Sequence, residues 1–245
     1  MLRFYRRLPA VRLPIDRLAG FAEFFFRRSD STGDIFPNDA AYGTIDGPDP
    51  EHVVVLGEAN AVGLGVTTHQ LGMAGHVARL LAYRIRRGVE WSAVGIPSSR
   101  LHGAARVIEA QRRLLEQTDV VVLLMGISDT LALTSTKSWT KLMASTLDLL
   151  LDCVPRDATI LVTRIPPMDN AGSISRGARF AAGLQARRFN RITERIVAER
   201  ERCRTVLFPE SLRQKLWVPE SREIPYVGMY SAWATSAVDT LIGAA

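Results

Sequence analysis

Val53-Val54-Val55-Leu56-Gly57-Glu58-Ala59-Asn60 is a short, unbroken apolar run that stops at a glycine and opens into a polar turn. A run of this length without polar alternation fits a strand buried on both faces, as in the middle of a parallel sheet. The same device returns more strongly at Val120-Val121-Val122-Leu123-Leu124-Met125, which closes on Gly126-Ile127-Ser128-Asp129. Residues 91–95, 159–165 and 205–208 read as further strands. Between and after them, apolar residues at helical spacing predict helices over 70–87, 104–117, 138–151, 179–202 and 227–242. Strand and helix in alternation at these lengths imply an α/β domain, a parallel sheet covered on both faces. Ligands in such sheets bind beyond the carboxyl ends of the strands, so the loops after Leu56, Val94, Met125 and Phe208 are where chemistry is expected.

Composition bounds the rest. The 245 residues are 47% hydrophobic and 23% charged, which excludes a disordered polyelectrolyte or a collagen-like chain. The longest apolar run, 120–127, is far short of the roughly 18 residues a membrane-spanning helix requires. Cys153 and Cys203 are too few for a disulfide framework and lack zinc-ligand spacing. The formal charge of +6 is unevenly placed: residues 1–28 hold seven arginines against Asp16 and Glu23, whereas the remainder carries 24 basic and 23 acidic groups. A near-neutral body with a basic head argues against a nucleic-acid-binding face. A cytoplasmic protein is expected.

Within that head, Pro14 suits a first helical turn, and Leu18, Phe21, Ala22 and Phe25 share helical spacing. Three uses fit a short basic amphipathic segment: docking its aromatics on the body, lying on an anionic membrane surface, or meeting a protein partner. Asp16 and Glu23 interrupt any secretory apolar core. Residues 29–51 are rich in turn formers and read as a linker, which leaves 52–245 as the folded domain.

Three blocks, Gly57-Glu58-Ala59, Gly126-Ile127-Ser128-Asp129 and Ser221-Arg222-Glu223-Ile224-Pro225 with Tyr230 and Trp233 beyond, make the chain resemble the SGNH (GDSL-type) hydrolases. The resemblance spans about residues 52–243. It implies a flavodoxin-like three-layer α/β/α fold with a five-stranded parallel sheet, and esterase, lipase or acetyl-hydrolase chemistry. That family reads Gly-Asp-Ser in the first block, Gly-x-Asn-Asp in the third and Asp-x-x-His-Pro in the last. The nucleophilic serine therefore falls on Ala59, the oxyanion asparagine on Ser128, the acid on Ser221 and the histidine on Ile224. The oxyanion glycine of the second block falls on Ser98, within Gly95-Ile96-Pro97-Ser98.

A methyl group cannot attack a carbonyl, and an isoleucine cannot relay a proton. The expectation is a hydrolase fold with a vestigial site at Gly57, Glu58, Ala59, Asn60, Ser98, Gly126, Ser128, Asp129, Ser221 and Ile224. Its cleft would take an acyl or glycan ligand, or a partner, with Ala59 and Ile224 favouring the acyl chain over the sugar. The alternative is a working esterase with a displaced nucleophile or a misaligned last block. Ser98, Ser99 and His102 are then the Ser/His grouping nearest a strand end, although the serines also suit a helix N-cap. Glu58 reads as a loop carboxylate anchoring backbone N–H groups.

No cofactor or metal is expected. Gly57, Gly63 and Gly65 lack dinucleotide-binding spacing, no Walker lysine follows, and His69 and His76 stand two turns apart on the expected first helix.

Overall fold

Val53 and Val55 face one side of the sheet, Val54 and Leu56 the other, and all four are buried. The unbroken apolar run is thus a central strand, with a core on each side. The computed structural model describes residues 35–170, 176–213 and 226–243. The basic segment 1–28, together with Ser221, Ile224 and Pro225, lies outside the described residues.

In chain order the elements are β1 (Tyr42–Ile45), β2 (Glu51–Gly57), α1 (Met73–Ile85), β3 (Val89–Gly95), α2 (Ala104–Ala110), α3 (Arg112–Leu115), β4 (Val120–Leu124), α4 (Ile127–Leu131), α5 (Thr136–Cys153), β5 (Thr159–Thr163), α6 (Arg176–Ala198), β6 (Cys203–Val206) and α7 (Tyr226–Ile242). The sheet order is β1-β3-β2-β4-β5-β6. Strands β2 to β6 are parallel, with Leu56 level with Val94 on one side and Leu123 on the other. This is the expected five-stranded arrangement.

The sixth strand corrects the reading of 29–51 as a linker. Tyr42–Ile45 pairs antiparallel with β3, Tyr42 opposite Ser92 and Ile45 opposite Val89. Its turn-forming composition concealed a role that only the partner strand reveals. Gly43 belongs there because a Cβ would lie 2.6 Å from the Trp91 ring. The expected helix over 104–117 is likewise divided, at Gln111.

Helices α1 and α7 cover one face of the sheet, over a core that includes Val77, Leu81, Tyr230 and Trp233. Helices α2, α3, α5 and α6 cover the other, where Trp139 and Phe189 stack with centroids 4.3 Å apart. The buried Asn190 on α6 clamps the chain just beyond β5, accepting from the Ile165 N–H at 2.8 Å and donating to its carbonyl at 3.0 Å. Helix α6 thus holds the end of β5, from which one of the crevice loops departs. No helix among the described residues is long and apolar enough to cross a membrane.

Candidate functional site

Gly57 ends β2 against β4, where a Cβ would fall on the Leu124 carbonyl oxygen, so a glycine is required for the strands to close. The chain then turns through Glu58 into a single 3-10 turn, Ala59–Val62. Gly126 makes the matching turn after β4 at φ +120°, a conformation open to glycine.

Glu58 reaches across from the first turn to the second. One carboxylate oxygen accepts from the N–H groups of Gly126 and of Ile127, the latter at 2.8 Å. The other accepts from the Ser128 N–H at 2.9 Å and the Ser128 hydroxyl at 2.6 Å. Glu58 is 6% exposed, and burial pushes its carboxyl up to about 7 although all four donors pull it down.

Asp129, 1% exposed, does the same between the loops after β4 and β3. It accepts from the Leu101 N–H at 2.7 Å and the Thr134 hydroxyl at 2.8 Å, with Arg100 Nε at 3.5 Å. Two buried carboxylates therefore lace three crevice loops together. Asn60 joins them to α7, its side-chain oxygen 3.5 Å from the Tyr230 hydroxyl, which donates to the Leu64 carbonyl at 2.7 Å.

These contacts define what the expected site residues can do. Ala59 presents a methyl group at the turn where the resemblance places the nucleophile. The hydroxyl of Ser128 donates to Glu58, and Glu58 and Asp129 are both committed to loop N–H groups and hydroxyls. Ser98 and His102 do line one groove, about 990 Å³, between β3 and α2. The Ser98 hydroxyl, however, donates to the Arg100 carbonyl at 3.1 Å and accepts from the Arg100 N–H at 3.4 Å. The serines do not cap a helix either, because the residue before α2 is Gly103, with no side-chain cap.

His69 belongs to a 3-10 turn ahead of α1, not to the helix itself. Its Nδ1 lies 2.8 Å from Asp39, which also accepts the His69 backbone N–H at 3.0 Å and is held below the usual carboxylate range by that N–H. Thirty residues separate this pair, and Asp39 lies in the stretch read as a linker, so no local sequence signal marks it. Ile35 and Pro37 touch the same loop: the Ile35 carbonyl accepts from Gly65 N–H at 2.7 Å, and Pro37 lies against Gly63. Among the described residues no histidine hydrogen-bonds to a serine or threonine, and no cluster of ligating side chains has the form of a metal site.

No protein-family model matches the sequence, and no curated protein matches it. Solved structures do. A lipase from a goat rumen metagenome is 13% identical, with a TM-score of 0.63 over 78% of this chain and 98% of its own. A G-D-S-L family protein from Desulfitobacterium hafniense is 11% identical, with a TM-score of 0.58 over 77% of this chain and 98% of its own. A phospholipase A1 from Streptomyces albidoflavus is 13% identical, with a TM-score of 0.56 over 78% and 99%. The chain has the SGNH hydrolase fold.

Proposed function

We propose that this chain is an SGNH-fold protein that has lost hydrolysis and keeps its crevice to bind an acyl ligand. The observation that carries the reading is the methyl of Ala59 at the turn leaving β2, beside carboxylates and a hydroxyl already engaged in holding loops. Nucleophilic catalysis needs a hydroxyl or thiol within reach of a base, and the turn leaving β2 presents a methyl instead. A methyl at Ala59 in place of a polar nucleophile makes the turn leaving β2 less polar, which suits an acyl chain better than a hydrated sugar, and the resemblance puts an apolar residue, Ile224, at the histidine position as well. Peripheral attachment to a membrane accords with such a ligand.

The presence of Ser98 and His102 in one groove supports the second reading, an active esterase with a displaced nucleophile. The two separate cleanly. The full chain, treated with a fluorophosphonate serine-hydrolase probe and a short-chain chromogenic ester, is expected to show neither labelling nor turnover above buffer, while binding decanoate in calorimetry. Labelling that disappears in Ser98→Ala or Ser128→Ala would establish the esterase instead.

A further inference from the structure

Nine large apolar side chains stand exposed among the described residues, and they are not scattered evenly. Six of them, Ile35, Phe36, Leu133, Phe180, Leu207 and Tyr226, lie at the carboxyl end of the sheet, where the crevice loops are. Leu207, 59% exposed, directly follows β6, and Leu133 follows α4 in the loop beyond β4. Phe180, 70% exposed, sits near the start of α6, which begins beyond β5. Tyr226 opens α7 and packs its ring on Gly65, the residue whose N–H is bound by Ile35. Tyr83 and Ile242 stand at the far ends of α1 and α7, and Tyr42 on the edge strand. Single exposed apolar residues are ordinary, but their concentration around one opening marks a surface that meets something apolar.

Charge identifies the occupant. The first 28 residues carry seven arginines against two acids, and the chain from them enters the described structure at Ile35, on that same rim. We infer that the carboxyl-end face docks on an anionic lipid bilayer, apolar rim side chains entering the interface while the arginines of residues 1–28 pair with lipid headgroups. A protein partner is the competing occupant, and the net positive charge of residues 1–28 favours the anionic bilayer. Docked in this way, the crevice opens toward acyl chains. The inference rests on the acyl-ligand reading for what enters the crevice, but the docking itself does not depend on it.

The test is co-sedimentation of the full chain with vesicles of phosphatidylglycerol and phosphatidylcholine, against vesicles of phosphatidylcholine alone. Binding is expected to the anionic vesicles only, and to weaken with added salt. Phe180→Ser combined with Leu207→Ser lowers the partition coefficient about tenfold without moving the melting temperature, because both side chains are exposed. Replacing Arg3, Arg6 and Arg7 with glutamine lowers it about a hundredfold, at about fivefold for each arginine. Tyr83→Ser with Ile242→Ser, at the opposite end, leaves it unchanged.

Equal binding to both vesicle types, no vesicle binding, or vesicle binding indifferent to the rim substitutions each overturns the inference; the last result would mean that the basic segment acts alone. Decanoate binding measured without vesicles keeps the two readings apart. Its absence in the unaltered chain removes the acyl ligand and leaves bilayer docking to stand or fall on the sedimentation result.

Discussion

Glu58→Ala is expected to lower the unfolding free energy by about 4 kcal/mol at neutral pH, since each buried polar group left without a partner costs about 1–3 kcal/mol. Three backbone N–H groups and the Ser128 hydroxyl lose their acceptor at once, in a site too enclosed for water to replace it easily. Relief from holding a carboxylate out of water offsets part of that loss. Urea denaturation of the two proteins measures the difference, and a loss below about 1 kcal/mol would show that the loop is held by other contacts.

The same group contributes stability that falls as pH rises. Burial raises its carboxyl from 4.5 in the unfolded chain to about 7 in the folded one, so the folded state holds a proton between those values that the unfolded state releases. The contribution is complete below pH 4.5 and is lost as pH passes through about 7, amounting to roughly 3 kcal/mol. Glu58→Gln keeps the shape and removes this titration, so between pH 4.5 and about 7 its stability declines less than that of the unaltered chain, although its amide turns a donor toward donors; His76, whose imidazole burial pushes down to about 4, adds an opposite slope to both proteins. A parallel slope in both proteins would assign the effect to another group.

The second large effect concerns chemistry. Ala59→Ser, Ser221→Asp and Ile224→His together are expected to raise hydrolysis of a short-chain ester at least about a hundredfold over the unaltered chain, because triad members act as a unit. Each single change leaves turnover at background, since a serine without its imidazole remains a weak nucleophile and an imidazole without a serine has nothing to activate. Burst kinetics with a chromogenic ester reads the result. Turnover from Ala59→Ser alone, equal to that of the triple variant, would mean that the crevice already holds a base. A folded triple variant with no turnover would mean that the last block lies elsewhere than Pro225, Tyr230 and Trp233 place it.

The parallel sheet was legible because β2 and β4 are buried on both faces, and that condition leaves little but Val and Leu in the run. The edge strand β1 was not. It has one exposed flank, only four residues and a glycine among them, so neither alternation nor length distinguishes it from a turn. Motif order pointed to Gly57, Glu58, Gly126, Ser128 and Asp129, and the fold places them at the ends of β2 and β4, since loops at strand ends keep their sequence spacing. What those side chains touch was less accessible. Glu58 and Ser128 are 70 residues apart, Asp129 and Leu101 28 apart, and only the folded sheet brings such partners together. The pair Asp39 and His69 was invisible for the same reason.

Ile35, Pro37 and Asp39 all grip the chain between Gly63 and His69. Tension applied to the protein at Ile35 would therefore be felt at one wall of the opening before it reached the sheet, much as a mooring line loads the cleat and not the hull. Whatever anchors that end is in mechanical series with the mouth of the cavity.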